Sequence, residues 1–181
     1  MEDIMRKQLL FSEEMISRKI YYLSQKISKD YYDSDLIILC VLKGSYMFFS
    51  ELVKKIEIKK EPKIDFIQLS SYNGIESTGQ IKIKKDIDID VTNKDILIIE
   101  DIVDTGLTMK YLFDHLNKKN CKSIKVCSLL QKPSKMKSDV YVDYPGFIID
   151  DDFVVGFGLD YNEDYRTLPE IFKLFPEHLV I

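Results

Sequence analysis

The chain has 181 residues, of which 45% are hydrophobic and 31% charged, and it carries a formal net charge of -4 at pH 7. This balance suits a folded globular protein with a substantial core; it excludes a disordered chain and a generally basic nucleic-acid surface. The longest purely apolar run, 36–42, is far short of the about 20 residues a membrane helix needs, and the N-terminus shows no apolar leader. Cys40, Cys121 and Cys127 form no Cys-x-x-Cys pair, so free thiols in a reducing cytoplasm are expected, with neither membrane nor nucleic acid as partner. With only His115 and His178 present, a histidine-based metal site is not expected.

Between Ser12 and Lys29, the residues Ile16, Ile20, Leu23 and Ile27 recur at spacings of three and four, which predicts an amphipathic helix capped by Ser12. Leu36–Leu42 reads as a strand buried on both faces, followed by a Lys43-Gly44-Ser45 turn and a helix over about 46–56. Strands are expected over 63–70 and 81–86. The polar, glycine-containing stretch between them, about 71–80, reads either as an exposed hairpin or as a mobile lid. Residues 86–95 form an acidic connection with no assigned role. A short buried strand over 96–99 and a helix over 109–116 follow, then a strand over 123–130 that ends in Gln131-Lys132-Pro133. Short strands are expected at 140–142, 147–149 and 153–157, with Asp150, Asp151 and Asp152 as a turn. Strand, turn and helix alternate, without repeat or linker. The expectation is therefore a single α/β domain over 1–181 built on a mainly parallel sheet.

The stretch with the most chemistry is Ile96 to Thr108, reading Ile-Leu-Ile-Ile-Glu-Asp-Ile-Val-Asp-Thr-Gly-Leu-Thr. Two carboxylates, Glu100 and Asp101, follow a strand, and a turn of small residues opens a helix. Free N–H groups at a helix N-terminus favour an anion, so Thr105, Gly106 and Thr108 form a candidate phosphate cradle. Glu100 and Asp101 would repel that phosphate and suit hydroxyls or a hard cation such as Mg²⁺. An acidic pair before a capped helix is also ordinary structure. The Asp-Thr-Gly tripeptide of aspartic proteases needs a second copy in a strand-rich lobe, and this chain has a single copy followed by a helix.

Four apolar residues, Glu-Asp, two apolar residues, Asp-Thr-Gly and Thr together resemble the phosphoribosyl diphosphate signature of the type I phosphoribosyltransferases. The resemblance extends from about 36 to 171, and within the family it points to the bacterial enzymes acting on hypoxanthine and guanine. It implies a mainly parallel twisted sheet flanked by helices, with a small hood from the terminal segments. It also implies transfer of a 5-phosphoribosyl group from phosphoribosyl diphosphate to N9 of a 6-oxopurine, Mg²⁺ as cofactor, and a homodimer or homotetramer.

By the same resemblance Lys43 and Gly44 bind diphosphate, with the peptide before the lysine often cis, and Arg166 in Tyr-Arg-Thr-Leu-Pro-Glu joins them. Ser71 and Tyr72 belong to the catalytic lid and touch diphosphate when it closes. Glu100 and Asp101 hold ribose hydroxyls and metal, while Asp104, Thr105, Gly106, Leu107 and Thr108 hold the 5′-phosphate. Asp104 is implied as the base for the proton at purine N7. Lys132 matches the reader of O6. In Phe153-Val154-Val155-Gly156-Phe157-Gly158-Leu159-Asp160-Tyr161-Asn162-Glu163, which resembles the family's base-binding segment, Phe153 matches the ring that stacks on the base, Val154 a backbone contact, and Asp160 a residue near the purine and a second Mg²⁺. Two alternatives stay open: a nucleotide-sensing regulator of the same fold, and an enzyme for another base such as xanthine.

Overall fold

The computed structural model describes residues 6–71 and 81–175, without the side chain of Ser71. In chain order the elements are β1 (Arg6–Phe11), α1 (Glu13–Asp30), β2 (Leu36–Leu42), α2 (Tyr46–Val53), β3 (Lys63–Ser71), β4 (Ile81–Lys85) and β5 (Asp95–Val103). They continue with α3 (Leu107–Asn117), β6 (Ser123–Gln131), a 3-10 turn at Pro133–Lys135, β7 (Tyr144–Ile148), β8 (Val154–Val155) and β9 (Ile171–Phe175).

β2 shows why the large sheet is buried on both sides. Leu36, Ile38 and Cys40 point into a core shared with α1 and α2, while Ile37, Leu39 and Val41 point into a second core shared with Met109, Leu112 and Leu116 of α3. Successive strand residues face opposite ways, so a continuous apolar run is stable only when both faces are covered. The six strands run β4-β3-β2-β5-β6-β7, parallel throughout except for the antiparallel β3–β4 pair. The edge strand β4 carries lysines on its exposed positions, which discourages further pairing. Ser12 caps α1 by accepting from Met15 N at 3.3 Å, and Ile16, Ile20, Leu23 and Ile27 form its buried stripe.

A second sheet of three strands, β1-β9-β8, joins the two ends of the chain, with Arg6 opposite Phe175. Val154, Phe157, Leu159 and Ile171 of this end belong to the same hydrophobic cluster as α1, α2 and β2.

Several expectations are corrected. Residues 140–142 are not a strand; the pairing lies at Tyr144–Ile148, whose residues bond to β6. The helix after β2 stops at Val53, and β8 is only Val154–Val155. β5 does not end before its acids: it runs on to Val103, so Glu100 and Asp101 are strand residues.

Candidate active site

Parallel pairing brings the carboxyl ends of β2, β5 and β6 to one edge of the sheet. The order reverses between β2 and β5, because the chain leaves β2 for β3 on one side and β5 lies on the other. Such a switch point leaves a crevice between the two outgoing turns. A cavity of about 310 Å³ lies there, lined by Gly44, Glu100, Asp101, Asp104, Thr105 and Thr108 among others.

Glycines set its floor. A Cβ on Gly44 would fall 1.7 Å from Asp101 Oδ2, and one on Gly158 would fall 2.0 Å from the Gly44 carbonyl oxygen. The turn after β2, the acids of β5 and the C-terminal loop are therefore stacked with no room for a side chain between them. The Leu42–Lys43 peptide in this turn is cis.

Glu100 and Asp101 are both buried. Burial first, and the adjacent charge of Asp101 second, push the Glu100 carboxyl well above its ordinary value, and its Oε2 has no hydrogen-bond partner. Asp101 Oδ1 accepts from Ile102 N at 3.0 Å.

The next turn is built for an anion. Gly106 caps α3 at φ +75°, a left-handed conformation natural to glycine, and the helical bonding starts only at Lys110 N, which donates to the Gly106 carbonyl at 2.9 Å. The first turn of α3 contains no acidic side chain to compete for its N–H groups. Thr105 and Thr108 flank them and line the cavity, and Leu107 is exposed. The segment after β6 braces this turn, with Lys132 N donating to Val103 O and Lys137 N to Thr105 O, each at 2.9 Å.

That brace also delivers Lys132. The lysine is buried, and its Nζ lies 3.7 Å from Asp104 Oδ2 and 3.7 Å from Asp151 Oδ1. Lys135 pairs with Asp151 as well and lies 3.9 Å from Asp104 Oδ2. Asp104 Oδ1 is buried without a partner.

The C-terminal wall carries Phe153, 44% exposed and edge-on to Tyr161 with ring centroids 5.6 Å apart, next to the buried Val154. Arg166 Nη1 donates to Gly158 O at 2.8 Å, and Nη2 pairs with Asp160 Oδ1 at 2.8 Å and with Glu163 Oε2 at 3.2 Å. Lys43 Nζ reaches the same Glu163 Oε2 at 2.9 Å. Lys43 first, and Arg166 second, hold the Glu163 carboxyl below its ordinary value.

A family described as the phosphoribosyl transferase domain matches residues 9–162. The chain belongs to that family. It is 45% identical over 171 residues to the hypoxanthine-guanine phosphoribosyltransferase of Bacillus subtilis strain 168, covering 94% of each chain. A crystal structure of a hypoxanthine phosphoribosyltransferase from Staphylococcus aureus superposes with a TM-score of 0.89 at 43% identity, covering 96% of this chain and 94% of the other. The hypoxanthine phosphoribosyltransferase of Trypanosoma cruzi gives 0.86 at 34% identity, covering 97% and 98%.

As a phosphoribosyltransferase, the chain has the family's mainly parallel sheet, and of the residues singled out from sequence Gly44, Glu100, Asp101, Asp104, Thr105, Gly106 and Thr108 line the same cavity. Lys132 approaches it through Asp104, and Lys43, Asp160 and Arg166 are tied to it by the contact of Gly158 with Gly44 and the pairs with Glu163, whereas Leu107, Phe153 and Val154 are not among its lining residues. Tyr72, the rest of the segment 72–80 and the Ser71 side chain lie outside the described residues. For this family a metal-assisted reaction is expected, and the donors fit it. Among the described residues no group of three or more His, Cys, Asp or Glu converges, but two adjacent carboxylates with an unpaired buried oxygen suit a hard cation that takes its other ligands from substrate and water. Asp160 offers less, because Arg166 Nη2 and Glu163 N engage its two oxygens at 2.8 and 2.9 Å.

Three residues of this phosphoribosyltransferase site escaped the sequence reading: Lys135, Asp151 and Glu163. The Lys132 to Lys135 spacing, three apart across a proline, is one signal that could have linked the first to Lys132. Asp151 carries no local signal, since its lysine partners lie on another segment, whereas Glu163 stands at the end of the matched C-terminal segment, three residues before Arg166, and only its pairing with Lys43 is hidden.

Proposed function

We propose that the chain transfers the 5-phosphoribosyl group from phosphoribosyl diphosphate to N9 of hypoxanthine, and of guanine, forming IMP or GMP and pyrophosphate. The observation that carries this reading is the juxtaposition of buried Lys132 with Asp104, 3.7 Å from Nζ to Oδ2, with Asp104 Oδ1 left free. A 6-oxopurine presents O6 and N7 side by side on one edge. An ammonium donates to O6, and the carboxylate takes the proton at N7. Adenine would offer an amine where Lys132 requires an acceptor, and an unpaired buried donor is costly.

Phe153 stacks on the base. Thr105, Gly106, Leu107 and Thr108 hold the 5′-phosphate against the α3 N-terminus, and Glu100 and Asp101 orient the ribose hydroxyls. As the glycosidic bond to diphosphate breaks, positive charge grows on the sugar and negative charge on the leaving group. Lys43 and Arg166 stabilise that negative charge where it develops. Glu100 and Asp101 would hold Mg²⁺, which would supply further positive charge for the leaving group. Asp160 would serve a second ion only weakly, since protein donors engage its oxygens. Residues 1–181 form one domain, with the terminal sheet as its hood, in a cytoplasmic homodimer or homotetramer.

The test is pyrophosphate release with Mg²⁺, phosphoribosyl diphosphate and, in parallel, hypoxanthine, guanine, xanthine, adenine and uracil. Turnover confined to 6-oxopurines supports the reading, and silence with all five sinks it. Lys132→Ala should cut the preference for hypoxanthine over adenine by about 10- to 100-fold, the worth of a buried charge-assisted hydrogen bond. An unchanged preference would move base recognition elsewhere.

A further inference from the structure

The two cations assigned above to the diphosphate are not free: one carboxylate oxygen, Glu163 Oε2, holds both, at 2.9 Å from Lys43 Nζ and 3.2 Å from Arg166 Nη2. Lys43 sits in the turn after β2, whereas Arg166 and Glu163 belong to the C-terminal loop. The ion pair therefore joins the turn after β2 to the C-terminal loop packed against it.

The loop is shaped to hold that carboxylate in place. Asn162, Glu163 and Tyr165 all take left-handed backbone conformations, at φ 52°, 69° and 72°, which side-chain-bearing residues ordinarily avoid. Asp160 Oδ2 fixes the turn by accepting from Glu163 N at 2.9 Å, and Gly158 N donates to Arg166 O at 2.9 Å across its base. Glu163 itself is exposed and buries nothing apolar, so packing does not explain the arrangement.

We propose that Glu163 is a built-in competitor of the diphosphate: its carboxylate discharges Lys43 and Arg166 in the empty site, gives them up when a diphosphate binds, and takes them back as pyrophosphate leaves. The inference rests on the assignment of Lys43 and Arg166 to the diphosphate. Its chemical logic is exchange of anions. Departure of a polyanion from two cations is slow when nothing replaces it. A tethered carboxylate replaces it at once, lowering affinity for free pyrophosphate while leaving the cations in register for the next substrate.

A residue that only supported the loop would weaken anion binding when altered; a competitor strengthens it. The experiment is calorimetric titration of inorganic pyrophosphate, with Mg²⁺, into the full chain and into Glu163→Gln and Glu163→Asp, with circular dichroism to establish folding. Glu163→Gln removes the charge, and Glu163→Asp keeps the charge but shortens its reach while tolerating a left-handed backbone. Both are expected to bind pyrophosphate about five-fold more tightly, the scale of two solvent-exposed ion pairs. Unchanged or weaker binding overturns the proposal. Tightening in Glu163→Gln alone also overturns it, because the net charge rather than the contact would then be responsible. Lys43→Ala and Arg166→Ala are the controls for the underlying assignment. If these bind pyrophosphate as the parent does, or the parent binds none, the diphosphate site lies elsewhere and the competitor falls with it.

Discussion

Asp104 illustrates how a single side chain is prepared by its surroundings. One of its oxygens faces the ammonium groups of Lys132 and Lys135 at 3.7 and 3.9 Å, too far for a hydrogen bond, and the other is buried and unpaired. A carboxyl group so placed has an oxygen left for a substrate N–H to reach. Asp104→Asn keeps the shape and loses the basicity. Turnover should fall by about 10² to 10⁴, the range of general base catalysis, while affinity for phosphoribosyl diphosphate stays within a few-fold. Steady-state kinetics beside a binding titration separates the two, and equal turnover would remove Asp104 as the base.

At the level of elements, the turn between β5 and α3 depends on Gly106. A Cβ there would meet Ser138 Oγ at 2.3 Å and a Met136 carbon at 2.8 Å, besides the penalty of φ +75°. Gly106→Ala should lower the melting temperature and raise the KM for phosphoribosyl diphosphate more than it lowers kcat, because the phosphate cradle moves while Lys132 is held by its N–H bond to Val103 O. How far each element was legible follows from what stabilises it. β2 stood out because both of its faces are covered and its sequence is therefore apolar throughout, and β6 because its second half is buried and mostly apolar. Arg6–Phe11 and Ile171–Phe175 showed no such pattern, since each is a strand only because it pairs with the other end of the chain. The acids Glu100 and Asp101 hid the true end of β5, because a carboxylate in a strand reads as a boundary. In the site, the motifs of β5 and its turn were legible because consecutive residues do the work. The pairs of Asp151 with Lys132 and Lys135 and of Glu163 with Lys43 were not, because they join segments apart in the sequence.

For the whole molecule, acidic groups with opposite shifts set the response to pH. Burial works against ionisation of Asp65, but the N–H groups of Phe66, Ile89 and Asp88, with Lys85, outweigh it and hold the carboxyl below its ordinary value. Asp86 and Asp95 are held below theirs in the same balance. A depressed folded value contributes stability above the unfolded value of 3.8 and loses it as pH falls through the folded one, so these groups define the acid limb. Glu100 has the opposite sign: its contribution is complete below 4.5 and declines as pH rises toward its raised folded value. Thermal unfolding as a function of pH should show Asp65→Asn with a shallower acid limb, and Glu100→Gln with less loss of stability above 4.5 than the parent in the absence of metal; parallel curves would refute both assignments. The terminal sheet adds a consequence of another kind. Because residue 6 lies opposite residue 175 in the sheet that holds the strand following Phe153, the first and last described residues share one corner. A circular permutant sealed at that corner and opened at 118–122, across the sheet from the crevice, should fold and turn over. Fluorophores attached near either end would report on the base-binding wall alone.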